Sequence, residues 1–108
     1  MICIIDYELG NKLSIKNALS KAGFDSLISN SISEIKKADS LILPGVGSFK
    51  EGMENLKRLN LIEILTNEVI ENKKKILGIC LGFQLMANES SENGDTKGLG
   101  WINNKIEP

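Results

Sequence analysis

Short apolar runs that alternate with helical stripes predict an α/β protein, a three-layer sandwich around a mostly parallel, doubly wound sheet. Three observations carry this reading: uninterrupted apolar runs at 2–5, 41–43 and 76–79, periodic apolar stripes between them, and a turn signal wherever one gives way to the other. Runs without polar alternation suit strands covered on both faces, as parallel strands are. With 108 residues, 42% of them hydrophobic, the chain amounts to one domain at most.

Ile2 to Ile5, closed by Asp6, is the first predicted strand. After the Gly10-Asn11 turn signal, Ile15, Ala18, Leu19 and Ala22 form one helical stripe, which Gly23 terminates. Phe24 to Ser29 reads as a weaker second strand, and Ser31-Ile32-Ser33-Glu34 has capping-box spacing that opens a short helix ending near Lys37. Leu41-Ile42-Leu43 is the third strand, broken at Pro44-Gly45-Val46-Gly47, because proline cannot donate to a ladder. A helix follows over Phe49 to Leu59. Asn60-Leu61-Ile62-Glu63 resembles a second N-terminal cap, with Leu61, Leu65 and Val69 at helical spacing in a helix that runs to about Asn72. Ile76-Leu77-Gly78-Ile79 is the fourth strand, followed by Cys80-Leu81-Gly82 and a helix through Ala87. Residues 88–98 are polar and read as a loop, and Trp101-Ile102 with Lys105-Ile106 marks one more strand.

Composition excludes several functions. The 13 basic residues nearly cancel the 14 acidic ones, leaving a net charge of -1, so a nucleic-acid surface is not expected. Lys73-Lys74-Lys75 reads as a solvated cation run at a helix C-terminus. No apolar run has the length of a membrane span, and the start lacks the basic region of a signal peptide, so the expected location is cytoplasmic, with no membrane partner. Cysteines 3 and 80, far apart and each in an apolar run, suggest neither a disulfide framework nor a metal site, and there is no histidine.

Ligands in doubly wound sheets bind at the carboxyl ends of strands, where loops 44–48 and 80–82 are expected to meet. Gly78-Ile79-Cys80-Leu81-Gly82 is a G-x-C-x-G sequence, the thiol form of a nucleophile elbow, placed between a predicted strand and a predicted helix. Its glycines leave room where the turn forces backbone segments together. A thiol at a helix N-terminus is expected to face unpaired N–H groups that favour thiolate, the nucleophilic form. An attacked carbonyl needs donors for its developing charge; the N–H of Leu81 is one candidate, and the backbone of Gly45, Val46 and Gly47 offers a second. Gln84 stands one helical turn beyond Cys80 and can share its face. Cys3, mid-strand with no turn beside it, reads as packing.

Four segments together resemble the class I glutamine amidotransferases, and specifically glutaminase subunits of imidazole glycerol phosphate synthase: Ile4-Ile5-Asp6-Tyr7, Leu43-Pro44-Gly45-Val46-Gly47-Ser48-Phe49, Gly78 to Gln84, and Thr96-Lys97-Gly98-Leu99-Gly100-Trp101-Ile102. The resemblance covers the whole chain and implies a flavodoxin-like amidotransferase fold. It also implies a reaction: Cys80 attacks the side-chain amide of glutamine, ammonia leaves, the thioester is hydrolysed, and the ammonia passes to a (β/α)8-barrel cyclase partner in histidine biosynthesis. By matching positions it makes Cys80 the nucleophile, assigns the oxyanion region to Leu81 with Gly45, Val46 and Gly47, and gives glutamine binding to Gln84 and Glu92. Glu92 reads equally as a solvated acid of a polar loop. No cofactor and no metal are implied.

The sequence departs from the family in two places. Glu8 stands where the family usually has glycine, in the loop that faces the cyclase. Family members also run well beyond this length and place a catalytic His, with a Glu two residues on, in that further part. Residues 1–108 are therefore expected to be the N-terminal part of a single amidotransferase domain, incomplete at its C-terminal side, with an exposed apolar sheet edge and almost no glutaminase activity alone. Three other readings stay open at this point: an ammonia-supplying paralogue that serves the amidation of surface sugars, a noncatalytic flavodoxin-like interaction module in which Cys80 merely packs, and a redox-sensing cysteine on a similar elbow.

Overall fold

Strands form where the apolar runs stand. A computed structural model describes residues 1–90 and 96–106, with β1 at Ile2–Ile5, β2 at Ser26–Ser29, β3 at Ser40–Leu43 and β4 at Lys75–Gly78. They make a wholly parallel sheet in the order β2-β1-β3-β4, with Ile4 opposite Ile28 and Ile42, and Leu43 opposite Gly78. The order reverses direction between β1 and β3. That reversal puts the first crossover helix on one face and the later ones on the other.

Five α-helices occur among the described residues: α1 at Lys12–Lys21, α2 at Ile32–Lys37, α3 at Phe49–Arg58, α4 at Ile62–Thr66 and α5 at Leu81–Leu85. Cys3, Ile5, Leu41 and Leu43 point to one face, where they pack with Ile35 of α2, Phe49 and Leu56 of α3, Ile64 and Leu65 of α4, and Leu81 and Leu85 of α5. The opposite face carries α1, which has no fully buried residue. Beside α1 the sheet surface remains open: Ile2, Leu19, Ile42 and Leu77 line an apolar groove of about 320 Å³, and Leu77 on the edge strand β4 is 58% exposed. This is the open apolar edge expected from the sequence. Ile76 and Leu77 have the composition of a strand covered on both faces, yet β4 is covered on one.

Local chemistry sets the helix ends. Asn11 accepts from the Ser14 N–H at 3.1 Å to start α1, and Ser48 accepts from the Glu51 N–H at 3.1 Å to start α3. The capping box at Ser31 does not form. Ser31 bonds to Ser33, and Glu34 accepts from the Ser29 hydroxyl at 2.6 Å, while the Ser31 N–H that the box would give to Glu34 donates to the same Ser29 oxygen at 2.9 Å. Asn60 is not a cap either; it takes the left-handed conformation at φ +59°, and Leu61 occupies the cap position.

The helix expected to reach Asn72 changes character midway. After α4, Asn67–Glu71 form a π-helical turn capped by Asn72. The wider turn shifts the helical phase, so that Glu68 faces inward and meets Lys74 at 2.7 Å, while Lys74 also donates to the carbonyls of Ile35 at 2.8 Å and Lys36 at 2.9 Å. Lys74 is therefore not part of a solvated cation run. Its side chain is 10% exposed and ties α2 to the entrance of β4.

Residues beyond α5 also differ from the expected loop. α5 stops at Leu85, short of Ala87, and β5 at Ala87–Ser90 pairs antiparallel with β6 at Thr96–Lys97 and parallel with β7 at Ile102–Ile106. β7 is the further strand expected around 101–106, whereas β5 and β6 were concealed by the polar residues of 88–98, since polar strands carry no apolar alternation. Backbone and side chains both link this small sheet to the main body: the Leu99 N–H donates to Leu85 O at 2.8 Å and the Trp101 N–H to Met86 O at 2.9 Å, Trp101 Nε1 donates to Thr66 at 3.1 Å, and Leu99 and Trp101 pack against the core. No helix among the described residues is long and apolar enough to cross a membrane.

Candidate active site

Cys80 stands at the carboxyl end of β4 with φ +52° and ψ -118°, a backbone region that side chains other than glycine rarely enter. The turn that holds it there is tight. The Gly82 N–H closes back on Ile79 O at 2.9 Å, and the Ile79 N–H donates to Leu43 O at 3.0 Å, so the elbow is fixed to β3 as well as to β4. Both flanking glycines are required by space: a Cβ at Gly78 would come within 2.7 Å of the Phe83 backbone, and one at Gly82 would collide with the Leu43 carbonyl. The result is an exposed Cys80. Packing does not account for it.

Loop 44–48 lies against this turn, as the strand order requires. Pro44 and Gly45 are buried, whereas Val46 and Gly47 are exposed, and Gly47 has φ +116°. The structure thus joins Leu81, next to Cys80, to Gly45 at the start of this loop, and Gln84, half-buried on α5, follows one turn after the cysteine. Glu92 lies outside the described residues.

The hydrogen bonding differs from the sequence expectation in one respect. The N–H groups of the first turn of α5 are already paired: Leu81 donates to Gly45 O at 3.1 Å, Phe83 to Cys80 O at 3.1 Å and Gln84 to Cys80 O at 3.3 Å. A five-residue helix closes its own first turn and borrows one carbonyl from the neighbouring loop, leaving no cluster of free donors beneath the thiol. Leu81 and Gly45, both expected in the oxyanion region, face each other as donor and acceptor.

Cys3 provides the contrast. It is fully buried, its Sγ is 4.0 Å from Ser29 O, and burial, with the negative charge of Glu34 adding to it, pushes its thiol up to about 11. Packing is its role, as the sequence indicated. Among the described residues no group of acidic, histidine or cysteine side chains could hold a metal ion.

Sequence reasoning passed over the layer beneath the loop. Tyr7, fully buried after β1, donates its hydroxyl to Pro44 O, and its own carbonyl accepts from Asn55 Nδ2 of α3 at 3.0 Å. The signal was available, since a lone polar-tipped aromatic at a strand end needs a partner for its hydroxyl when buried.

Comparison with known proteins agrees with this geometry. The family model for glutamine amidotransferase class-I matches residues 3–105. An imidazole glycerol phosphate synthase subunit HisH 2 of Methanococcus maripaludis is 58% identical over 105 residues, covering 97% of this chain and 52% of that protein. HisH 2 of Vibrio vulnificus is 49% identical over 98% of this chain and 50% of its own length, and HisH of Bacillus velezensis 46% identical over 97% and 49%. The chain spans about half the length of these curated relatives. A solved structure described as a glutamine amidotransferase superposes with a TM-score of 0.81 at 18% identity, covering 99% of this chain and 56% of that one, which shows the shared fold. An exposed cysteine on a glycine-flanked elbow, within a doubly wound parallel sheet and a family match across nearly all of its length, makes this chain a member of the class I glutamine amidotransferase family.

Proposed function

We propose that this chain is the nucleophile-bearing part of a glutaminase subunit of imidazole glycerol phosphate synthase. The observation that carries the reading is the exposed Cys80 held at positive φ beside the Gly45–Gly47 loop. The Cys80 thiol adds to the side-chain amide carbon of glutamine, its proton passes to the amide nitrogen, the C–N bond breaks to release ammonia, and water hydrolyses the thioester to glutamate and the free thiol. The tetrahedral oxyanion is received by backbone N–H groups of the Gly45–Gly47 loop and of Leu81, whose bond to Gly45 O opens to free it. Gln84, together with Glu92, binds the glutamine. The ammonia goes to a (β/α)8-barrel cyclase in a cytoplasmic heterodimer serving histidine biosynthesis.

Residues 1–108 form one part of a single amidotransferase domain in this reading. The chain has no histidine, so no imidazole on it protonates the departing ammonia, and its turnover alone is close to zero. Substrate recognition is tested by alkylation of Cys80 with iodoacetamide in the presence of glutamine or asparagine. Slower modification with glutamine alone is expected; equal rates with both overturn the reading. Ammonia release at ordinary enzyme rates by the isolated chain would contradict the assignment of the missing acid.

A further inference from the structure

We infer that Tyr7 is a positioning residue for the candidate active site: its buried hydroxyl, hydrogen-bonded to Pro44 O, sets the direction of the Gly45 carbonyl and so governs whether the Leu81 N–H beside Cys80 is engaged or free.

The connection runs through one short stretch of backbone. Tyr7 grips the carbonyl of Pro44, which shares a peptide plane with the nitrogen of Gly45. Gly45 then presents its own carbonyl to Leu81 at 3.1 Å. With the Pro44–Gly45 plane held, only the dihedrals of Gly45 remain to aim that carbonyl. The phenol itself cannot wander: Tyr7 is fully buried, and its main chain is held by Asn55 at 3.0 Å. A Cβ on Gly45 would collide with the Tyr7 oxygen, and one on Gly10 would come within 3.0 Å of Gly45 N, so the loop is backed closely by residues after β1. Burial raises the Tyr7 pKa, which keeps the hydroxyl a donor throughout the neutral range.

Ile79 supplies an internal control, because its N–H donates to Leu43 O, one residue before the gripped carbonyl, at 3.0 Å. Loss of the hydroxyl should loosen Leu81 and spare Ile79. A general loosening of the core would affect both.

The inference rests on the reading of Cys80 and its loop as a glutaminase site, but its test uses no glutamine and no turnover. Amide hydrogen exchange is measured at Leu81 and Ile79 in the natural chain and in Tyr7→Phe, which keeps the ring and removes the donor. The expected result is a rise of about fivefold in the Leu81 to Ile79 rate ratio, the size of one neutral hydrogen bond. An unchanged ratio overturns the inference, whether both rates rise together or neither moves. Tyr7 is the chain's one tyrosine, so 3-fluorotyrosine incorporation alters this position alone. Should Tyr7→Phe not fold, that chain decides: its stronger donor should lower the ratio, and a ratio equal to the natural one overturns the inference. Failure of glutamine to protect Cys80, with the exchange result as expected, would discard the glutaminase reading while leaving the Tyr7 linkage standing.

Discussion

The amide of Leu81, next to the candidate nucleophile, donates to the carbonyl of Gly45 at 3.1 Å, so the two loops of the candidate site are joined by a bond between groups that the proposed reaction needs apart. Under the proposed function, substrate binding has to offer this donor something better than a neutral carbonyl. A developing oxyanion does so, since hydrogen bonds to ionised acceptors are roughly twice as strong as neutral ones.

The elbow makes a prediction about space. Gly82→Ala places a methyl group against the Leu43 carbonyl and should destabilise the fold by about 3 kcal/mol, the upper range for overpacking. Gly23→Ala meets no atom within 4 Å but sits at φ +88°, so it should cost about 1 kcal/mol through backbone angle alone. Urea denaturation of both variants measures the difference.

The two cysteines should separate cleanly by chemistry. At pH 8, iodoacetamide is expected to modify the exposed Cys80 while the buried Cys3, its thiol held up near 11, reacts only after unfolding. Peptide mapping against time in native buffer and in urea checks this.

Alkali should weaken the fold. The folded pKa of Cys3 lies near 11 and that of Tyr7 is raised as well, so above pH ~9 the unfolded chain gives up protons that the folded chain retains, and stability falls as pH rises. The Cys3 contribution is about 2–3 kcal/mol once pH exceeds its folded value. Denaturation at pH 8 and pH ~10.5, with Cys3→Ala as the control, reads it.

Acid should act through Glu68. Its hydrogen bond with Lys74 holds the carboxyl below the usual range, so it favours the folded state at neutral pH, a contribution lost as pH falls below ~4 through the folded value. Lys74→Met removes the partner and leaves the carbonyls of Ile35 and Lys36 without their donor, with an expected cost of about 3 kcal/mol and a flatter acid limb in urea titrations.

Most of the fold was legible because its strands and helices announce themselves locally. Ile2–Ile5 and Leu41–Leu43 read as strands and are strands, largely buried, and the G-x-C-x-G turn carries its steric demand in its own residues. What escaped depends on partners outside the element or segment that holds each residue. Glu34 abandons its cap for Ser29, Glu68 turns inward because a π turn shifts its phase toward Lys74, and the Leu81 amide is taken by a carbonyl of loop 44–48. Tyr7 escaped for the same reason, since its partner lies 37 residues away.

Holding Cys80 at φ +52° is unfavourable for any residue with a β-carbon, by about 1–3 kcal/mol. Serine in its place would inherit the same burden, but glycine would shed it. Cys80→Gly would then yield a sturdier polypeptide with no thiol at the elbow, so that under the proposed function selection for robustness and selection for catalysis pull this single position in opposite directions.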